Sequence, residues 1–253
     1  MVEALLLGVL QGVLEWLPVS SSGQLSLILA GLLHLDPGAA YRLSIASHLG
    51  TSLSGAVVVR DEVIDAVKLG PSLRVALIPL LAGAPIALLV DKYIGSLQGD
   101  VFNLLIGALL IVTAALTLAS GGLQGGRRAR DLRAHELALV GVVQGLAALP
   151  GLSRSGATIA ALLLLKLEPL EAVRASFLMG TAATGAMAAY TLIMGVQAPA
   201  AALAAMTLAS LVAGIASATL MIALARKYND KIAVFTLIIA ALAIISAAPA
   251  LKP

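Results

Sequence analysis

Apolar residues fill this chain in runs of helix length, separated by short polar breaks. No stretch shows the apolar–polar alternation that marks a half-buried β-strand. Runs long enough for a helix that crosses a bilayer lie at residues 43–59, 75–90, 101–119, 175–195, 200–225 and 232–251. The pattern therefore predicts an all-α polytopic membrane protein with six transmembrane helices.

Two further regions are apolar but interrupted. Residues 2–35 and 137–167 each consist of an apolar run, a break rich in Pro, Gly and Ser, and a shorter apolar run. Irregular backbone is tolerated at membrane depth only where it is buried in protein or lines a polar cavity. We therefore expect two re-entrant helix-loop-helix hairpins, which enter and leave the membrane on the same side.

The two hairpins carry the same sequence pattern. Residues 8–23 read GVLQGVLEWLPVSSSG and residues 141–156 read GVVQGLAALPGLSRSG, and the two align without a gap. A second match follows each copy, HLGTSLSGA at 48–56 and LMGTAATGA at 178–186. Repeats of this kind predict two halves that build one site at their interface. The single membrane domain, 1–253, then divides into repeat 1 at about 1–119, a basic loop at 120–136, and repeat 2 at about 137–253.

Composition and charge narrow the class of protein. Hydrophobic residues make up 60% and charged residues 11%, which excludes an ordinary soluble domain. There is no Cys, so disulfides and Cys-ligated metals are excluded, and the net charge of +3 does not favour nucleic acid as a partner. In the predicted layout most of the 16 Lys and Arg residues fall on one side. The positive-inside rule then puts the 120–136 loop in the cytoplasm, both termini outside, and the hairpin tips together at the midplane.

A polar cluster follows each hairpin break. Ser20, Ser21 and Ser22 precede one half-helix, and Ser153, Arg154 and Ser155 begin the other. Helix N-termini offer free N–H groups and a partial positive charge, and arginine holds phosphate oxygens with two donors. We therefore expect an anion site at the paired tips. The alternative is that Ser and Gly only let the helices pack closely.

Glu15 is an ionisable residue just before the break of the first hairpin, and Gln11 lies one turn before it on the same face. A carboxyl group at membrane depth is a functional candidate because its burial is costly. The alternative is a structural ion pair between Glu15 and Arg154. Thr158 lies one turn after Arg154 and is a further candidate for the anion, whereas His48 is more typical of a hydrogen-bonded structural residue.

The residues QGVLEWLPVSSSGQ at 11–24, PGLSRSGAT at 150–158 and HLGT at 48–51 resemble the undecaprenyl-pyrophosphate phosphatase family of the bacitracin-resistance type. The resemblance spans nearly the whole chain. It implies six spanning helices with two re-entrant hairpins, and hydrolysis of a C55-type polyprenyl diphosphate to the monophosphate and phosphate. It also implies a site open to the outer face, a divalent cation such as Mg²⁺ or Ca²⁺, and recycling of a lipid carrier for cell-envelope glycan synthesis.

The family's site residues carry over by position. Glu15 matches the essential acidic residue and Gln11 the Glu or Gln before it; Ser21 matches the proposed nucleophile or phosphate ligand. The phosphate-binding residues of the second motif match Ser153, Arg154 and Thr158. The family's histidine is Gln24 here, which can bind phosphate but cannot transfer a proton. Either Ser21 attacks with Glu15 as base, or water attacks directly, or activity is low.

Several alternatives stay open at this point. Inverted repeats with broken helices are also typical of transporters, so the chain could instead flip a lipid-linked phosphate. Gln24 also allows a silent lipid binder. A divalent cation bridging Glu15 and the substrate phosphates is compatible with the sequence, as is a homodimer. The expected partners are a polyprenyl diphosphate and membrane lipids in the cell membrane.

Overall fold

A computed structural model of the chain describes residues 2–33, 37–94, 99–120, 125–196 and 198–228, together with 237, 238 and 241. These residues are almost entirely helical, which confirms the all-α prediction. One short 3-10 helix, Ala129–Asp131, lies in the basic loop. The α-helices are α1 Val2–Glu15, α2 Ser21–Leu33, α3 Pro37–Ala46, α4 His48–Val58, α5 Arg60–Val67, α6 Ser72–Ile94, α7 Gly99–Ser120, α8 Ala134–Leu146, α9 Arg154–Leu164, α10 Pro169–Met194 and α11 Ala200–Lys227.

Within the described residues, three helices are long and apolar enough to cross a membrane: α6, α10 and α11. They cover the predicted runs 75–90 and 200–225 and all but the last residue of 175–195. The run at 101–119 lies within α7, while nearly all of 232–251 falls outside the described residues. The chain is therefore a multi-pass membrane protein.

The run at 43–59 is not one uninterrupted helix, because α3 ends at Ala46 and α4 begins at His48. The side chains of Ser47 and His48 both bond the carbonyl of Ser44, at 2.6 and 2.8 Å. Side chains that bond nearby carbonyls compete with the regular helical ladder. The interruption brings His48 to the start of α4, where it is buried.

Both interrupted regions are broken helices, as their sequences predict. Residues 16–20 separate α1 from α2, and residues 147–153 separate α8 from α9. In the first break Ser20 has a φ of 54°, a left-handed conformation that non-glycine residues rarely adopt. In the second break Gly151 has a φ of 104°, which suits glycine.

The two halves of the chain pack reciprocally. Helix α1, in the first half, packs on α11 of the second, and α8, in the second half, packs on α6 of the first. A Cβ at Gly8 would lie 2.5 Å from the Met206 carbonyl, and one at Gly145 would lie 2.5 Å from that of Gly83. Small residues at helix contacts let backbones approach closely in membranes. Each broken helix therefore takes its packing partner from the other half.

The Glu136 carboxylate holds the basic loop in place. Arg127 donates to both oxygens of Glu136 at 2.9 Å, and the Arg133 backbone N–H donates to Glu136 at 2.7 Å. Arg127 also donates to the Leu165 carbonyl, beyond the end of α9. The Arg127 guanidinium and the Arg133 N–H hold the pKa of Glu136 below its usual range. This ion pair fastens the loop to the ends of α8 and α9.

Candidate active site

The two helix breaks meet. The Gly151 N–H of the second break donates to the Ser20 hydroxyl of the first at 2.9 Å. In return, Ser155 donates its hydroxyl to the Leu17 carbonyl at 2.9 Å. Ser20 therefore joins the two tips, and its unusual φ is held by this contact. The two helix breaks are therefore in direct contact.

Glu15 is the centre of the polar contacts between the tips. Its Oε2 accepts hydrogen bonds from the Ser21 hydroxyl at 2.6 Å and from the Gln11 amide at 2.8 Å. Its Oε1 accepts from Nη2 of Arg154 at 2.6 Å. The residue is 5% exposed. A buried carboxylate with this many donors is held in one orientation, and the Ser21 hydroxyl proton already points to it.

His48 also reaches Glu15, although its sequence context favours a structural role. Its Nε2 lies 3.1 Å from Glu15 Oε2, and its Nδ1 lies 2.8 Å from the Ser44 carbonyl. The carbonyl can only accept, so Nδ1 carries a proton; Oε2 also accepts. A proton must therefore lie between His48 and Glu15 as well. The sequence could not reveal this, because the pairing depends on how α4 packs beside α1.

Arg154 is held on three sides. Nη2 contacts Glu15, Nη1 donates to the Ser176 carbonyl at 3.2 Å, and the guanidinium lies 5.1 Å from the Trp16 ring centroid. Trp16 itself is fully buried and donates its indole N–H to Ser54 at 3.0 Å. The Nε of Arg154 is buried without a partner. The side chain is thus fixed by aromatic and polar contacts and keeps an unused donor.

A cleft opens at this cluster. It encloses about 650 Å³, including the part open to solvent. The cleft lies beside the first residues of α2 and α9, two helix N-termini, which suit an anion. Its polar lining includes Glu15, Ser20, Ser21, Ser22, Tyr41, His48, Gln144, Ser153, Arg154 and Thr184.

The other predicted site residues are divided between the cleft lining and its surroundings. Ser153 caps α9 by accepting from the Gly156 N–H at 3.2 Å, while it also lines the cleft. Thr158 donates to the Arg154 carbonyl at 2.7 Å and contacts Ser176 at 2.7 Å, so it holds α9 against α10. Gln11, Ser155, Thr158 and Gln24 are not among the lining residues. The resemblance placed Thr158 and Gln24 on phosphate, whereas the free cleft does not touch either.

Three polar lining residues were missed from the sequence: Tyr41, Gln144 and Thr184. Tyr41 is fully buried, and its hydroxyl donates to the Ala148 carbonyl of the second break at 3.0 Å. Gln144 lines the cleft and has a buried amide oxygen without a partner. Gln144 could have been identified, because it aligns with Gln11 in the repeat. Tyr41 belongs to neither repeat match and gave no such signal.

The oxygen donors around Glu15 fit one contact to a divalent cation. No group of three or more His, Asp or Glu side chains is gathered in the described part of the chain. Gln11 Oε1 is buried without a partner beside the carboxylate. Mg²⁺ is commonly held by one or two carboxylates while substrate phosphates supply the other ligands. The residues present therefore suit a cation that arrives with a phosphate substrate.

Comparison with known proteins gives a consistent family. A family model described as Bacitracin resistance protein BacA matches residues 4–245, which include both broken helices. A protein of Haloarcula marismortui named Undecaprenyl-diphosphatase is 35% identical, over 76% of this chain and 76% of its own length. Two proteins of the same name are also similar to this chain. The one from Pyrobaculum aerophilum is 35% identical over 81% of this chain and 82% of its own length, and the one from Korarchaeum cryptofilum is 37% identical over 70% and 71%.

Proposed function

The chain belongs to the BacA family of bacitracin resistance proteins, and we propose that it hydrolyses an undecaprenyl-type diphosphate to the monophosphate and phosphate. The observation that carries the proposal is the Ser21–Glu15–Arg154 cluster. A hydroxyl lies 2.6 Å from one oxygen of a buried carboxylate, and a guanidinium lies 2.6 Å from the other. The relatives named Undecaprenyl-diphosphatase support the same activity. The reaction would return a lipid carrier to cell-envelope glycan synthesis.

In the proposed reaction Ser21 attacks the terminal phosphorus. Glu15 accepts the hydroxyl proton, a bond forms between Ser21 Oγ and phosphorus, and the bridging P–O bond breaks. Its electron pair leaves with the polyprenyl monophosphate. Glu15 passes the proton to the departing monophosphate and is then free to act as base again. Water attacks the phosphoserine, the Ser21 Oγ–P bond breaks, Glu15 transfers the water proton to Ser21 Oγ, and phosphate leaves. The short Ser21–Glu15 hydrogen bond supports this order over direct attack by water.

The remaining groups bind charge and fix geometry. Arg154, Ser153 and the N–H groups at the starts of α2 and α9 would bind the transferred phosphoryl group. Phosphoryl transfer depends mainly on positioning and on such electrostatic contacts. To bind the phosphoryl group, Arg154 must give up part of its contact with Glu15. The Nε of Arg154, which has no partner among the described residues, is available as a further donor to a phosphate oxygen. His48 would hold Glu15 in place through the shared proton.

A divalent cation would be held by Glu15, with the Gln11 carbonyl oxygen as a second contact. When bound, it would neutralise charge on the diphosphate. Mg²⁺ or Ca²⁺ fits these oxygen ligands.

The membrane topology is part of the proposal. We assign six spanning segments, with the run at 43–59 as α3–α4, and two re-entrant hairpins in inverted repeats. The 120–136 loop lies in the cytoplasm, both termini lie outside, and the cleft opens outward. Because the chain has no Cys, single Cys residues can be introduced without background. Labelling of Arg128→Cys only from the cytoplasmic side is expected; labelling only from outside would reverse the orientation.

The test is phosphate release from a C55 polyprenyl diphosphate by the purified protein in detergent, with and without Mg²⁺ or Ca²⁺. Arg154→Ala and Glu15→Ala should each lower the rate roughly 1,000-fold or more, since each removes a charge that the reaction uses. Arg226→Ala and Glu3→Ala, which change exposed residues of the same types, are the matched controls. A near-normal rate in either site variant would contradict the roles assigned here, and substrate binding without release would identify a silent binder.

A further inference from the structure

A second cavity adjoins the cleft of the candidate active site. It lies between α6, α8 and α10 and encloses about 630 Å³, including the part open to the outside. Ala87, Gln144, Ala183 and Met187 line both cavities, so the two adjoin at these residues. We call this second cavity the side groove.

The lining of the side groove is hydrocarbon. Leu80, Ala84, Leu88 and Ala186 are among its walls, and no charged side chain lines it. Its polar side chains are Gln144, at the boundary with the cleft, and Tyr190. Leu88 is 43% exposed. Because α6 and α10 are both long enough to cross a membrane, the side groove opens at a depth where lipid surrounds the protein.

We propose that the side groove holds the first isoprene units of the polyprenyl chain while the diphosphate occupies the cleft. This inference rests on the proposed function, since it concerns the same substrate. A diphosphate joined to a long hydrocarbon chain needs a polar end and an apolar exit in contact with each other. The cleft and the side groove supply this pair. Because the two cavities share four lining residues, the side groove suits the tail of the bound substrate better than a separate lipid or a second copy of the chain.

The side groove positions the polyprenyl chain but adds little to the affinity for the substrate. A polyprenyl tail comes from the bilayer, which is as apolar as the groove, so little hydrophobic free energy is gained on entry. What the groove supplies is a fixed path. A tail held along that path orients the bridging oxygen and the terminal phosphorus for attack, and small errors in such orientation are costly.

Gln144 lies where the charged and apolar parts of the substrate would meet. It is buried, and its amide oxygen has no partner. The two ends of an amide exchange by rotation, so the same side chain can turn an N–H donor toward the cavity. A donor at this boundary suits an oxygen of the phosphate that carries the isoprenoid. We therefore assign Gln144 as a donor to the phosphate that carries the isoprenoid, at the boundary between the cleft and the side groove.

The first experiment labels the unmodified protein. A non-hydrolysable methylene-diphosphonate analogue of the C55 substrate, with a diazirine in its second isoprene unit, is irradiated with the protein in detergent. Mass spectrometry should locate the label in residues 80–88 or 183–190. Competition by unlabelled analogue should remove it. Label confined to other helices, or label that competitor does not remove, would overturn the proposal. This readout does not depend on turnover.

The second experiment blocks the path. Ala186→Trp should lower kcat/KM for the C55 diphosphate about tenfold or more, because the indole fills the side groove. For methyl diphosphate, which has no isoprene unit to place in the side groove, kcat/KM should stay within about twofold. Ile193→Trp, at a position of the same helix that is 83% exposed, is the matched control. Equal losses on both substrates would overturn the proposal. If the unmodified protein releases phosphate from neither substrate, the proposed function fails, while the labelling result still decides the occupant of the side groove.

Discussion

Gly180 leaves the space that the Arg154 guanidinium occupies. A Cβ built at Gly180 would lie 2.7 Å from Nη2 of Arg154 and closer still to Nη1 and Cζ. Carbon and nitrogen atoms do not approach within about 3.4 Å without a bond, so in Gly180→Ala the guanidinium must move by roughly 1 Å or more. The guanidinium is the far end of a flexible side chain, and it can move without disturbing the backbone.

The expected effect of Gly180→Ala is on catalysis and not on folding. A displacement of about 1 Å in a positioned group can cost about 100-fold in rate, which corresponds to about 2.7 kcal/mol. Alanine is also a better helix former than glycine by about 1 kcal/mol, so α10 itself should not be weakened. We therefore expect kcat/KM for phosphate release to fall roughly 100-fold while the thermal unfolding midpoint in detergent is maintained.

The matched control is Gly185→Ala. Gly185 lies on the same helix and also belongs to the repeat match, but its Cβ would meet only the Ser52 side chain, which can rotate. This variant should retain activity within about threefold. If Gly180→Ala is as active as Gly185→Ala, Arg154 does not need the position that the structure gives it, and its role as the phosphate-binding group would be wrong.

Four further changes test the site and the loop, the first three by initial rates of phosphate release. Ser21→Ala should lower the rate roughly 100-fold or more, and a rate within threefold would favour attack by water. His48→Gln should lower the rate about tenfold, because Glu15 loses the proton that it shares with His48; an unchanged rate would make His48 merely structural. Gln24→His should change the rate less than threefold if His48 already serves Glu15, and a large gain would refute that. Glu136 has a lowered pKa, so its contribution to stability is present above the ordinary value of 4.5 and is lost as pH falls below it. Thermal unfolding between pH 3.5 and 7 should show this loss, and Glu136→Gln should flatten it.

Much of the fold could be predicted because the bilayer sets the length of a helix. The runs at 75–90 and 200–225 are single helices in the structure for that reason. The run at 43–59 satisfied the same rule, yet it divides at Ser47. Hydropathy does not report that division, because it arises where serine and histidine side chains bond carbonyls of their own helix.

The site residues that could be predicted from the sequence are the charged ones, because burying a charge in a membrane is costly. Glu15 and Arg154 were identified because a charge at membrane depth needs a partner, and the structure pairs them. The cost of burying a charge did not single out His48, because a histidine can be buried without one. Its contact, Glu15, lies 33 positions away in sequence. Gln24 was assigned to phosphate by its place in a motif, and that assignment stays a prediction. The catalytic roles themselves stay predictions until rates are measured.

The exchange of packing partners between the halves has a consequence for biosynthesis. Gly8 lies against Met206, so α1 is synthesised long before the helix on which it packs. At 5–20 residues per second, the 198 positions between them take about 10 to 40 s to synthesise. Throughout that time Gln11 and Glu15 are polar groups in a hydrophobic segment that has not met α11. Nascent α1 must therefore stay at the membrane surface or inside the insertion machinery until α11 is made. A chain truncated before α11 should be recognised and degraded.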